Sequence, residues 1–153
     1  MSKTETKKDK INIKQKLQGI QTELKAPKGQ TNKFGGYRYR SCEDILTALK
    51  PLMAKYGCAL VITDNIVEVG GRVYVNATAS LGDTSSEFTL SASGFAREAE
   101  TKKGMDDAQI TGSASSYARK YALNGLFAID DTKDPDATND HGKSAPRKQV
   151  TQF

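Results

Sequence analysis

The sequence predicts an α+β domain, a three-stranded antiparallel β-meander packed by helices, with solvated tails at either end. Three observations carry that expectation. Val73, Val75, Ala77, Ala79 and Leu81 alternate with Arg72, Tyr74, Asn76, Thr78 and Ser80, and Phe88, Leu90, Ala92 and Gly94 alternate with Glu87, Thr89, Ser91 and Ser93. A period of two turns one set toward a core and the other toward water. Gly70-Gly71 and Gly82-Asp83 separate the apolar runs, and short Gly-containing connections favour the primed turns of hairpins. Apolar residues at helical spacing flank this block on both sides.

The elements follow in order. Residues 1–10 are polar and Lys-rich and are expected to be disordered. Ile13, Leu17, Ile20 and Leu24 then predict an amphipathic helix that stops before Pro27. Lys25 to Arg40 reads as a Gly-rich basic loop, with Lys25, Lys28, Lys33, Arg38 and Arg40 interleaved among Phe34, Tyr37 and Tyr39. Ser41 is a good N-cap for a second helix, and Glu43 and Asp44 suit the positive end of its dipole. Ile45, Leu46, Leu49, Leu52, Met53 and Tyr56 form its buried stripe, and Gly57 ends it. Pro51 removes a backbone donor inside it, which predicts a kink or a break into two short helices.

The apolar run Cys58 to Val69 is the first strand of the meander, and Phe95 to Met105 is a charged loop after the third. The last helix starts at Asp106 or Asp107 and runs to about Asn124, with Gly125 just beyond. Ile110, Ala114, Tyr117, Ala118 and Tyr121 make one face of it, while Gly112, Ser113, Ser115 and Ser116 make a small polar side that leads to Arg119 and Lys120. From Asp130 onward no periodicity remains. The expected organisation is therefore a basic N-terminus over 1–10, one domain over 11–129 and a disordered tail over 130–153.

Composition narrows the function. The 153 residues are 37% hydrophobic and 27% charged, with a formal charge of +5. Of the 23 Lys/Arg and 18 Asp/Glu, 11 and 3 fall within residues 1–40, a net of +8 there and −3 over the rest. A basic segment on a mildly acidic body fits a polyanionic partner; a solubilising Lys-rich tail is the plainer reading of Lys3 to Lys16. Cys42 and Cys58 lack the spacing and companions of a zinc site and are expected to be reduced. With a polar N-terminus and no apolar run long enough to span a bilayer, the chain is expected in the cytoplasm, away from membranes.

No catalytic residue, metal or cofactor is expected. The one histidine, His141, lies in the predicted tail, so neither Ser-His-Asp nor Cys-His chemistry has a positioned base. Asp106-Asp107 and Asp130-Asp131 could bind magnesium in a nuclease. The first pair equally suits a helix N-terminus and the second an exposed tail, and that structural reading is preferred. Gly142-Lys143-Ser144 ends like a phosphate loop, but Ala137 stands where that motif needs glycine. Single-stranded DNA, by contrast, is held by cations along its phosphates and aromatic faces under its bases. Lys33-Phe34-Gly35-Gly36-Tyr37-Arg38-Tyr39-Arg40 supplies both, unless its tyrosines pack on the sheet.

The stretch Asp106 to Asp131, DDAQITGSASSYARKYALNGLFAIDD, resembles the signature region of the Erf (essential recombination function) family of phage recombinases. Tyr37-Arg38-Tyr39-Arg40-Ser41, followed by an acidic-capped helix ending Lys55-Tyr56-Gly57, resembles that family's opening. The likeness covers roughly residues 15–135. It implies a β-β-β-α annealing-protein core that assembles into homo-oligomeric rings or filaments in the bacterial host cytoplasm. Such a protein binds single-stranded DNA along a basic groove, pairs complementary strands without ATP, and can meet the host single-strand binding protein. It also implies roles. Arg119 and Lys120 face the DNA, Arg38 and Arg40 come second as phosphate contacts, and Arg97, Lys102 and Lys103 third. Tyr117 and Tyr121 would pack on the sheet, while Gly112, Ser113 and Ser116 would admit a close backbone. Three alternatives stay open: a passive single-strand coating protein, a magnesium-dependent nuclease, and a module gripping an acidic partner.

Overall fold

A computed structural model describes residues 11–32, 35–100 and 106–130. The expected disordered ends, 1–10 and the tail from 131, lie outside those residues, as do Lys33, Phe34, Lys102 and Lys103. Helix α1, Ile13–Glu23, opens on a capping box: Asn12 Oδ1 accepts from the Gln15 N–H at 2.8 Å, and Gln15 Oε1 accepts from the Asn12 N–H at 2.9 Å. It buries Ile13 and Ile20. The basic segment expected as a loop contains a small antiparallel hairpin, β1 (Gln30–Asn32) and β2 (Tyr37–Tyr39), with Gly36 at φ 67° in its turn.

Helix α2, Cys42–Tyr56, is capped by Ser41 and closed by Gly57 at φ 69°, as expected. The break expected at Pro51 does not occur, and α2 is one helix. Pro51 and Thr47, four residues earlier, are both exposed, so the carbonyl that loses its donor sits on the solvent side, where water can replace it.

Three strands form the antiparallel sheet in the order β3 (Cys58–Val69), β4 (Arg72–Asp83), β5 (Thr89–Arg97). Gly70 and Gly71, at φ 59° and 78°, make the first turn and set Val69 opposite Arg72. The second turn departs from expectation. It spans Asp83 to Phe88, closed by the Asp83 N–H on the Phe88 carbonyl at 3.1 Å, and β5 begins at Thr89 rather than Glu87. Asp83 Oδ1 accepts from Lys16 Nζ at 2.8 Å and from the Ser85 N–H at 2.9 Å. A carboxylate bonded two residues ahead builds its own turn, and the ion pair anchors that turn to α1. Phe88, expected on the buried face, is 71% exposed as a result.

Helix α3, Asp107–Phe127, opens on an Asp106–Gln109 capping box and lies across β4 and β5. It does not stop at Gly125. It continues to Phe127 and ends at Ala128 with φ 58°, because Leu126 and Phe127 bury in the core and outweigh the cost of an internal glycine. Val75, Ala77, Ala79 and Leu81 of β4 meet Ala114, Ala118, Ala122 and Leu123 of α3, with Ile20, Ile45 and Leu49 closing the core from α1 and α2. Gly94 explains how close α3 lies. A Cβ there would come within 2.5 Å of the Ala122 nitrogen and 2.6 Å of the Ala118 carbonyl oxygen. Where the helix crosses Gly94, that approach leaves room only for small side chains, Ala118 and Ala122. Tyr117 and Tyr121, expected to pack on the sheet, are therefore turned out to 51% and 46% exposure. The opposite sheet face pairs the Thr78 and Ser93 hydroxyls at 3.0 Å and those of Ser80 and Ser91 at 2.8 Å, and also exposes Val61 and Phe95. Among the described residues, no helix is long and apolar enough to cross a membrane.

Candidate nucleic-acid interface

The basic-aromatic segment and the last helix, eighty residues apart in sequence, meet at Lys120. Its ammonium donates to the Arg40 carbonyl at 3.3 Å and lies 5.6 Å from the ring centroids of both Tyr39 and Tyr117. A cation between two aromatic faces at that distance is favourably placed. Lys120 is only 9% exposed, so its stem packs against α3's neighbours while its charge reaches the floor of a cavity of about 220 Å³. Tyr39 of β2, Ser41 and Cys42 at the start of α2, and Ser113, Ser116 and Tyr117 of α3 line that cavity. Small hydroxyl side chains at 113 and 116 leave the groove open above the cation. Burial pushes the Cys42 thiol up in spite of nearby Arg119 and Lys120, which keeps it protonated at neutral pH.

Arg40 holds this arrangement in place. Its Nε donates to the Ala26 carbonyl at 2.6 Å and its Nη1 to the Asp130 carbonyl at 3.4 Å, tying the segment after α1 to the residues after α3. Arg119 faces a different way. Its Nε lies 3.1 Å from Asp64 Oδ1 and its Nη2 3.3 Å from Oδ2, and Ser115 Oγ donates to the same carboxylate at 2.5 Å. Burial raises the Asp64 carboxyl, but the Ser115 and Arg119 hydrogen bonds outweigh it and leave the group below the usual range.

A family model described as the ERF superfamily matches residues 13–152, which takes in every residue of the groove.

The chain belongs to the ERF superfamily.

The Essential recombination function protein of Salmonella phage P22 is 57% identical to it over 138 residues, 88% of this chain and 65% of that protein. The chain thus spans just under two thirds of the length of that curated relative. No solved structure matches the chain significantly.

On this ERF-superfamily fold the expected site residues separate. Lys120 and Tyr39 come together in the groove. Arg40 contributes its backbone carbonyl there, while its guanidinium bonds other carbonyls. Arg38 is exposed on the hairpin, with Nε on the Lys28 carbonyl at 2.9 Å, and Tyr37 pairs with Asn32 in the same hairpin. Arg97 is exposed at the end of β5, across α3 from the groove. Arg119 joins α3 to β3 instead of lining the groove. Asp106 is engaged as the cap of α3, its carboxylate accepting from the Gln109 N–H at 2.9 Å. Sequence reasoning missed Asp64, although a signal existed: Asp64 shares the parity of Cys58, Leu60 and Ile62 and so belongs to the face that α3 covers. It also missed Ser41 and Cys42, because only the fold swings the start of α2 against α3.

Proposed function

We propose that this ERF-superfamily chain is a phage recombination protein that binds single-stranded DNA in the Lys120 groove and pairs complementary strands without nucleotide hydrolysis. The observation that carries the reading is the Lys120 ammonium between the Tyr39 and Tyr117 rings, at the floor of a groove walled by serines. Cations along a groove and aromatic faces beside it are the two things a single strand needs. The name of the phage P22 relative and the succession β3-β4-β5-α3, which suits an annealing-protein core, support it further.

In this reading Lys120 attracts a phosphate, and Arg38 and Arg97 add exposed positive charge; Lys33, Lys102 and Lys103 are further candidate phosphate contacts in the sequence. Each subunit holds few nucleotides, so copies arranged in a ring or filament multiply a weak grip into a stable one. Base pairing supplies the driving force, and the host single-strand binding protein is a natural partner in the bacterial cytoplasm. The test is the annealing rate of two complementary labelled oligonucleotides, without ATP, at two salt concentrations. Acceleration that weakens with salt is the expected result. Binding without acceleration would make the chain a passive coating protein, and cleavage in magnesium would make it a nuclease.

A further inference from the structure

The Lys120 groove is not the largest concavity beside α3. A second cavity, of about 380 Å³, lies on the other side of Tyr117, between α3 and the outer strand β5. We propose that it is a nucleobase-binding subsite that takes one unstacked base of a bound single strand, an inference that rests on the single-strand reading above.

Its volume falls within the roughly 300–1,000 Å³ typical of small-ligand pockets. The walls suit a flat, polar-edged ring. Tyr117 and Tyr121 line the cavity, and both are about half exposed. The two tyrosine centroids stand 6.3 Å apart with their planes 32° from parallel, a mutually supporting pair. Two large aromatic side chains left exposed at one place make a patch that calls for an occupant. Their exposure follows from Gly94, which draws α3 so close to β5 that alanines take the buried positions and the rings are displaced to the rim.

The floor is apolar, since Ile110 and Ala114 are nearly fully buried. The rim is polar at Ser113. A base can therefore lie against the rings while its edge groups meet Ser113.

Continuity with the groove decides the occupant. Tyr117 and Ser113 line both cavities. A strand with one phosphate above Lys120 thus passes Tyr117 and offers a neighbouring base to the far face of the same residue. A base seated there is withdrawn from pairing and clamps the strand, while its neighbours remain open to a complement.

The test uses the full chain and fluorescence anisotropy with labelled oligothymidylate and a strand of equal length made of abasic residues. The variant Tyr121→Leu spares Tyr117, Lys120 and the alanine contacts of α3. It should lose about 5- to 150-fold in affinity for oligothymidylate, the range that one aromatic–base stack spans, and nothing for the abasic strand. Unchanged binding of oligothymidylate, or equal loss on both strands, would overturn the subsite. The wild-type chain offers an independent check that needs no variant: equal affinity for the two strands also overturns it. If the wild type binds neither strand, the single-strand reading itself fails, an outcome distinct from all of these.

Discussion

Arg119 on α3 and Asp64 on β3 form a two-point ion pair, Nε to Oδ1 at 3.1 Å and Nη2 to Oδ2 at 3.3 Å, and Ser115 donates to the same carboxylate. The pair fastens the exposed side of α3 to an edge strand that the helix otherwise touches little, since α3 packs mainly on β4 and β5. Both side chains are partly solvated, so the coupling is modest. A double-mutant cycle of Asp64→Ala and Arg119→Ala should return about 0.2–1 kcal/mol of coupling in urea denaturation. Strict additivity would show that the two do not support each other. Charge reversal at Arg119 is a poor probe of DNA contact, because it would set two carboxylates face to face and report on the fold.

Lys120 offers a cleaner probe. Lys120→Met keeps an unbranched aliphatic stem and removes the charge together with the hydrogen bond to the Arg40 carbonyl. Affinity for a single strand should fall, and the slope of log K against log salt should shrink by about 0.7, the share of one phosphate contact on a single strand. A variant with weaker binding and an unaltered salt slope would mean that Lys120 positions the tyrosines without meeting a phosphate.

Asp83 makes acid sensitivity predictable. The Lys16 hydrogen bond, foremost, and those from Ser85 hold its carboxyl well below the usual range. A folded-state value below the unfolded one, about 3.9, means that the contribution is complete above that pH and is lost as pH falls toward the folded value. Asp83→Asn should therefore lower the urea midpoint at pH 7, and the gap from wild type should narrow at pH 2. A gap of the same size at both pH values would place the effect in the turn geometry and not in the charge.

Gly94 sets the distance between helix and sheet. In Gly94→Ala the new methyl would meet the α3 backbone at 2.5 and 2.6 Å and Tyr121 Cβ at 2.8 Å. Neither backbone can yield without moving the helix, so a loss of about 1–3 kcal/mol or more is expected from overpacking. Thermal denaturation followed by circular dichroism measures it. A stability equal to wild type would show that α3 can lift off β5 freely.

Much of this could be read along the chain, where the deciding physics is local. Ser41 and Gly57 bound α2, Asp106 opens α3, and alternation along β4 names its buried residues, because caps and strand parity depend on neighbours a few positions away. The resemblance of Asp106 to Asp131 also sufficed for the family, and the family match bears it out. Illegible were the quantities that depend on distance between elements. Periodicity assigns Tyr117 and Tyr121 to a helix face but says nothing of how near that face lies to the sheet; Gly94 brings it so near that the rings are expelled. Composition counted Arg119 and Lys120 as two adjacent cations, yet a turn of about 100° per residue along the helix sends one to Asp64 and the other between Tyr39 and Tyr117. Local signals in the chain were enough for the capped helices, the buried face of β4 and the family. The β1–β2 hairpin, the end of α3 and the separate surroundings of Arg119 and Lys120 came from contacts between residues far apart in the chain, which no local pattern encodes.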